Sequence, residues 1–154
     1  MNFDVQLKSE TVAHAHPAEA IVVDLSTSVS SVLRLMKEEQ VGSVLICEGE
    51  CLVGIFTERD ALRLMASAAD LDVPIEQEMV SDPVTVSADE TVGKAITQMS
   101  KGGYRRLPIV DESCCPVGIL KVSGILRYLV EHFPEVIYTL PPEPHHRTQH
   151  REGA

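Results

Sequence analysis

The segment Thr57-Glu58-Arg59-Asp60 carries side chains whose types and spacing could do chemistry. A threonine followed three residues later by a carboxylate is the pattern of a helix capping box, in which both side chains satisfy free backbone N–H groups. The Asp60 carboxylate could instead accept hydrogen bonds from two neighbouring hydroxyls of a bound molecule. The segment therefore has a structural interpretation and a binding interpretation.

Two adjacent arginines, Arg105 and Arg106, are the second candidate for chemistry. The chain has 13 Lys and Arg against 23 Asp and Glu, and the net charge of −10 disfavours nucleic acid or an anionic membrane as a general partner. Any anionic ligand therefore needs a local basic cluster. Guanidinium groups bind phosphate through paired hydrogen bonds, so the arginines either bind such a ligand or face water beside acidic neighbours.

An internal repeat places these residues in a wider pattern. Val23, Val29, Met36 and Ile46 recur about 63 residues later as Val86, Val92, Met99 and Ile109, and after one inserted residue Gly54, Ile55, Leu62 and Arg63 recur as Gly118, Ile119, Leu126 and Arg127. Such self-similarity indicates two copies of one supersecondary unit. Two copies of this size would each be marginal alone, so we expect one shared core.

The two copies differ where Thr57 and Asp60 stand. The equivalent residues are Lys121 and Gly124, although the helix that they begin is predicted in both copies. If capping were the whole reason for the pattern, the second copy would be expected to keep it. The difference favours a binding role that is confined to the first copy.

Each copy is predicted to fold as a β-α-β-β-α unit. In the first, the elements are a strand Ile21 to Val23, a helix Val29 to Glu39, a hairpin of Ser43 to Cys47 and Cys51 to Phe56, and a helix containing Ala61 to Ala66. In the second, they are a strand Pro83 to Val86, a helix Thr91 to Lys101, a hairpin of Arg106 to Val110 and Val117 to Lys121, and a helix containing Ile125 to Val130. The predicted class is α/β in the broad sense, or α+β.

The predicted organisation has four parts. Residues 1–20 form a lead-in with one short strand near Val5 to Leu7, residues 21–70 form the first repeat, residues 71–133 the second, and residues 134–154 a flexible tail rich in proline and polar residues. The sequence contains neither a secretory signal nor a stretch of the roughly 20 apolar residues that span a bilayer. We therefore expect a cytoplasmic protein that does not act in a membrane.

Cysteine and histidine spacing argues against a metal site. Cys47 and Cys51 have a CxxxC spacing and Cys114 and Cys115 are adjacent, so neither pair has the CxxC pattern of zinc and redox sites. We expect the cysteines to act as small apolar groups. Other candidates are His145, His146 and His150 in the tail and His14 and His16 upstream, but the tail lacks the apolar support for a helix that would hold a metal.

In their order and spacing, these features resemble a tandem pair of cystathionine-β-synthase-type (CBS) domains, also called a Bateman module. The resemblance covers about Ile21 to Glu131 and rests on Val53-Gly54-Ile55, Val117-Gly118-Ile119, Thr57-x-x-Asp60 and the segment from Tyr104 to Asp111. It implies two three-stranded sheets in contact and two symmetry-related clefts. In that family the clefts commonly bind adenosine-containing ligands such as AMP, ADP, ATP or S-adenosylmethionine.

The resemblance also implies roles for individual residues. Asp60 would bind ribose hydroxyls, and Arg105 and Arg106 would bind phosphates in the same cleft. That nucleotide site would be completed by Thr57, by Arg59, and by Pro83, Val84 and Thr85, which close over the adenine. The pseudo-equivalent cleft would contain Val22, Asp24, Ser43 and Ser123, and it would be empty or differ in specificity because Gly124 replaces the aspartate.

The sequence predicts a regulatory protein and not an enzyme. It contains no P-loop, GxSxG or HExxH motif. We expect a homodimeric sensor of AMP, ADP or ATP that modulates a partner protein and needs no catalytic cofactor. The alternative is a protein-interaction or dimerisation scaffold without nucleotide, in which Asp60 is only a cap. Sensing of S-adenosylmethionine, NAD or a metal ranks below both.

Overall fold

The structure, a computed structural model, describes residues 7–133. The first sheet has the order β1 (Val22–Asp24), β2 (Ser43–Glu48), β3 (Cys51–Thr57) and β4 (Val80–Ser81), and the second has β5 (Val86–Ser87), β6 (Arg106–Val110) and β7 (Pro116–Lys121). The helices are α1 (Val29–Glu39), α2 (Glu58–Ala66), α3 (Val92–Gly102) and α4 (Val122–His132). The predicted tail at 134–154, with its histidines, lies outside the described residues.

The two repeats have the same local topology. In each, the first strand runs parallel to the second, and the second and third strands form an antiparallel hairpin. The α+β class and the β-α-β-β-α units predicted from the sequence are confirmed. Within residues 7–133, no helix is both long enough and apolar enough to cross a bilayer.

Helices α1 and α3 begin and end for the same physical reasons. The hydroxyls of Ser28 and Thr91 accept hydrogen bonds from backbone N–H groups of the first helical turn. At the other end, Gln40 and Gly103 adopt left-handed backbone conformations, with φ of 54° and 71°, that stop the helix. These signals explain why the predicted limits of both helices lie within one residue of the observed ones.

The predicted strand Pro83 to Val86 is only partly present. Residues 83–85 have no regular structure, and the strand begins at Val86. The chain instead pairs a few residues earlier, where Val80 lies opposite Ile55 and β4 runs antiparallel to β3. Proline has no N–H to donate to a ladder, which disfavours a strand through Pro83. The first sheet therefore has four strands, where the resemblance implied three.

Two 3-10 turns extend the internal repeat beyond the predicted units. They cover Val12–His14 and Ile75–Gln77, and the first residue of each is fully buried. Val12 N–H donates to Glu90 O at 2.8 Å, and Ile75 N–H donates to Thr27 O at 2.7 Å. Val12 packs in the core of the second repeat, and Ile75 packs in the core of the first.

Part of the predicted lead-in is therefore built into the second repeat. Ala15 joins Val12 in that core, and Ala18 exchanges two backbone hydrogen bonds with Ile119 on β7. The lead-in contributes too few apolar residues to give a helical or alternating pattern, so periodicity could not find it. The strand predicted near Val5 to Leu7 begins outside the described residues, and Leu7 itself is helical.

A shared cluster joins the two repeats. Its buried members come from both sheets and are Leu45, Cys47, Leu52, Ile55 and Ile119. Burial of this apolar surface requires both repeats, as the prediction of a joint core supposed. The packing also brings the ends of strands from different repeats together, and the candidate site forms there.

Candidate functional site

A cavity of about 550 Å³ opens where the two repeats meet, within the usual size range of small-molecule sites. It is bounded by the β3–α2 junction, the segment after β4, the start of β6 and the β7–α4 junction. The predicted nucleotide-site residues that line it are Thr57, Arg59, Asp60, Pro83, Val84, Arg105 and Arg106. Thr85 is the predicted member that is absent from this lining.

Asp60 is buried at the base of α2, with 5% of its surface exposed. Its Oδ2 accepts hydrogen bonds from the backbone N–H of Thr57 at 2.9 Å and from the Thr57 hydroxyl at 3.1 Å. Its Oδ1 lies 3.3 Å from Nη2 of Arg63, whose side chain is largely exposed. The capping interpretation is thus confirmed, and the same carboxylate also lines the cavity.

Arg106 contributes a partly shielded guanidinium group to the cavity from the second repeat. Its side chain is 27% exposed, and its Nη2 lies 3.8 Å from Oε1 of Glu58. The two side chains therefore form an ion pair, but their separation is too long for a good hydrogen bond. Its Nε is shielded from solvent and has no hydrogen-bond partner among the described residues. The neighbouring Arg105 is exposed at the cavity mouth.

Several lining residues were missed by sequence reasoning. Apolar contributors are Ile55, Val80, Tyr104, Pro108 and Val122, and charged contributors are Glu58, Asp82 and Lys121. Tyr104 belongs to the motif that carried the family resemblance, and Lys121 is the repeat equivalent of Thr57. Both could have been suspected on those grounds. The others depend on packing between the repeats.

The four residues that the sequence assigned to the second cleft differ in their exposure and in their position in the fold. Val22 and Asp24 lie exposed on β1, whereas Ser43 on β2 is 3% exposed. Asp24 Oδ1 accepts hydrogen bonds from the N–H and hydroxyl of Ser26, and these lower the pKa of Asp24. Ser123 lines the Asp60 cavity, although the sequence had assigned it to the other cleft.

The chain's own N-terminal segment lies close to Gly124, the equivalent of Asp60. A Cβ atom at Gly124 would stand 2.6 Å from the carbonyl oxygen of Ala15 and 3.0 Å from that of His16. Such contacts are too close for any side chain, so glycine is required for this approach. The second repeat therefore holds backbone at the place where the first holds a carboxylate.

Two β-α-β-β-α repeats packed through their sheets, with a cavity between them, define a tandem CBS domain pair. The CBS domain family matches the chain twice, over residues 14–67 and 70–131. The chain belongs to this family.

Individual relatives agree with this assignment. The chain is 31% identical over 121 residues to an uncharacterized 17.7 kDa protein of Acidianus ambivalens, covering 78% of this chain and 73% of that one. It is similar to the crystal structure of CBSX2 in complex with AMP, with 26% identity, a TM-score of 0.70 and coverage of 79% of this chain and 97% of that one. It is also similar to the CBS domain pair of protein MJ0100 in complex with 5′-methylthioadenosine and S-adenosyl-L-methionine, with 25% identity, a TM-score of 0.69 and coverage of 76% and 97%.

Proposed function

We propose that this chain is a regulatory protein that binds an adenine nucleotide, AMP, ADP or ATP, in the Asp60 cavity. The observation that carries the proposal is that one cavity is lined by Asp60 from the first repeat and by Arg105 and Arg106 from the second. An adenine nucleotide carries two neighbouring hydroxyls on its ribose and an anionic phosphate group attached to the same ribose. The carboxylate accepts hydrogen bonds from the hydroxyls, and the guanidinium groups bind the phosphate.

The partly exposed guanidinium group of Arg106 supports a phosphate at this position. Its Nε is shielded from solvent, so a phosphate would bind through the Nη atoms, which form charge-assisted hydrogen bonds with phosphate oxygens. The ion pair with Glu58 is long and half exposed, so it competes only weakly with a bound anion. Apolar side chains such as Ile55, Val80 and Pro108 offer a surface for the adenine ring.

The charges around the cavity favour a phosphorylated ligand over a sulfonium compound. The lining contains Arg59, Arg105, Arg106 and Lys121 as cations and Glu58, Asp60 and Asp82 as anions. Four cations against three anions leave a net charge of +1 on the lining. S-Adenosylmethionine carries a sulfonium charge that this excess repels. AMP, ADP and ATP are therefore preferred to it.

Regulation follows from the position of the cavity between the repeats. A ligand that contacts both repeats stabilises the arrangement that it binds best, and such coupling is typically about 1–3 kcal/mol. In the proposal, that shift changes the association of this chain with a partner protein. The homodimer, the regulated partner and the cytoplasmic location stay predictions.

The rival function, a scaffold that binds no nucleotide, is favoured by the cap that Asp60 forms with Thr57. A thermal-shift panel separates the two functions, with AMP, ADP, ATP, adenosine, S-adenosylmethionine and NAD as probes. At a concentration 100 times its Kd, a ligand adds about 2.7 kcal/mol of stability, which raises Tm by roughly 5–10 °C. We expect saturable shifts with at least one of the three nucleotides. A flat response to all of them would leave the scaffold as the better account.

A further inference from the structure

Cys51 and Cys114 lie in the hairpins of the two repeats and meet at the inter-repeat interface. Cys51 begins β3, and Cys114 lies in the loop between β6 and β7. The backbone N–H of Leu52 donates to the carbonyl oxygen of Cys114 at 2.9 Å, which ties the two hairpins together. The Cys51 and Cys114 Sγ atoms lie 3.8 and 3.7 Å from the same Leu52 carbonyl oxygen, so both thiols face one point of the interface.

We propose that Cys51 and Cys114 form a reversible disulfide that crosslinks the two repeats under oxidising conditions. The oxidant is a low-molecular-weight disulfide such as glutathione disulfide. The two protein S–H bonds and the S–S bond of the oxidant break, and one protein S–S bond forms. The oxidant takes the two electrons and two protons and leaves as two thiols.

Accessibility and position single out this pair among the four cysteines. Cys47 is 3% exposed and closed to an oxidant, whereas Cys51 and Cys114 are half-buried. Cys115 is half-buried as well, but it is the Cys114 Sγ that contacts the Leu52 carbonyl oxygen, which the Cys51 Sγ also contacts. Among residues 7–133 there is no group of three or more ligands that could hold a metal ion. The structure therefore favours a two-thiol reaction over a metal site.

The loop that carries Cys114 is fixed in place before any reaction. The backbone N–H of Cys114 donates to the carbonyl oxygen of Asp111 at 3.1 Å, and Asp111 Oδ1 also accepts a hydrogen bond from the N–H of Ser113 at 2.9 Å. Cys114 has a φ of +66°, an uncommon conformation for a residue with a side chain. These bonds fix the backbone of the loop, and the Cys114 Sγ lies 3.7 Å from the carbonyl oxygen of Leu52, the residue after Cys51.

The small fraction of Cys51 that is thiolate limits the rate of disulfide formation. The hydrogen bond with Cys114, followed by burial, raises the pKa of Cys51 to about 11. Thiolates and not thiols attack disulfides, so Cys51 is mostly unreactive at neutral pH. The pair stays reduced in a reducing compartment, and crosslinking accelerates as the pH rises.

Oxidation of the full chain in glutathione buffers, followed by alkylation of free thiols and peptide mass mapping, tests the proposal. We expect an intramolecular Cys51–Cys114 peptide pair that dithiothreitol removes. The crosslink closes a long loop of the unfolded chain, so Tm should rise by roughly 5–15 °C under non-reducing conditions. Cys51→Ser and Cys114→Ser should abolish the rise, and the matched control Cys115→Ser should keep it.

Peptide mass mapping of the unsubstituted chain tests the proposed disulfide even if a variant folds poorly. A bond between Cys114 and Cys115, a bond between Cys51 and Cys115, a crosslink between two chains, or no crosslink at all would each overturn the proposal. None of these outcomes bears on nucleotide binding, because Cys51 and Cys114 do not line the Asp60 cavity.

Discussion

Asp60 accepts two hydrogen bonds from Thr57 through a single carboxylate oxygen. Its Oδ2 lies 2.9 Å from the Thr57 backbone nitrogen and 3.1 Å from the Thr57 hydroxyl oxygen. This pairing fixes the side chain at the start of α2 and leaves the other oxygen, Oδ1, beside the exposed Arg63. The capping and binding interpretations are therefore compatible, since one residue can satisfy the helix and still accept from a ligand.

The substitution Asp60→Asn separates these two roles. Asparagine keeps an oxygen that can accept the Thr57 N–H but loses the negative charge and one acceptor. Hydrogen bonds to a charged group contribute about 1.5–3 kcal/mol, so we expect nucleotide affinity to fall about 10- to 100-fold. The free energy of unfolding should fall by less than about 1 kcal/mol.

Calorimetry and urea unfolding measure these two effects. The control is Asp89→Asn, the same change at an exposed aspartate outside the cavity lining. Equal nucleotide affinities in the two variants would show that Asp60 is only a cap.

Glu58 is expected to restrain Arg106 in the unliganded cavity. Its Oε1 lies 3.8 Å from Arg106 Nη2, and its side chain is 67% exposed. Glu58→Gln removes both the pairing and a negative charge from the lining, and exposed pairs are worth at most about 1 kcal/mol. We expect the affinity for ATP to rise roughly 2- to 5-fold and the affinity for adenosine to stay unchanged.

Titrations at low and high salt check this prediction, because the gain should shrink as salt screens the charges. Glu76→Gln, at an exposed glutamate outside the lining, serves as the control. Weaker ATP binding by the Glu58 variant would contradict the assignment of Arg106 to phosphate.

Gly124 is expected to tolerate no side chain. In Gly124→Ala the new Cβ would meet the carbonyl oxygen of Ala15 at 2.6 Å, so the N-terminal segment must shift. Overpacking of this kind typically costs about 1–3 kcal/mol, and we expect a loss of that size in urea unfolding. Ser123→Ala, at an exposed position one residue earlier in the same helical turn, should change stability by less than about 0.5 kcal/mol. A neutral Gly124→Ala would mean that the segment does not lie there.

Acid stability should depend on Glu131. Its Oε2 lies 2.8 Å from Nε2 of His16 and its Oε1 lies 3.0 Å from Nε of Arg127. The hydrogen bond from His16, and then that from Arg127, lower the pKa of Glu131 from its ordinary value of 4.5. A lowered carboxyl pKa adds stability above the unfolded-state value, and the protein loses that stability as the pH falls through the folded-state value.

We therefore expect Glu131→Gln to have a lower Tm than the unsubstituted chain near neutral pH and the same Tm once the pH lies below the folded-state pKa of Glu131. Thermal unfolding at a series of pH values from neutral into acid measures the convergence. The control is Glu112→Gln, an exposed glutamate in the β6–β7 loop. A Tm difference that persists unchanged into acid would show that the Glu131 contacts do not depend on its charge.

The predictability of the fold differed between elements for physical reasons. Helices α1 and α3 combine a regular apolar face with caps at Ser28 and Thr91, so local sequence defines their limits. The 3-10 turns at Val12 and Ile75 each bury one key apolar side chain and give no period to detect. Strand β4 pairs only two residues, so its formation depends on the free edge of β3.

The site was predictable where one repeat differs from the other. Asp60 could be recognised because the second repeat has Gly124 at the equivalent position. Arg106 could be recognised because adjacent basic residues are rare in this acidic chain. Ser123 was assigned to the second cleft but lines the Asp60 cavity, because an internal alignment gives equivalence between repeats but not how they pack. The contributions of Ile55, Val80 and Pro108 to the lining required that packing as well.

The stoichiometry of binding tests the central claim most directly. Calorimetric titration of the unsubstituted chain, with the nucleotide that gives the largest thermal shift, counts the sites per chain. The contrast between Asp60 in one repeat and a backbone-filled Gly124 in the other predicts one nucleotide per chain. Two equivalent sites per chain, or no saturable binding, would contradict it.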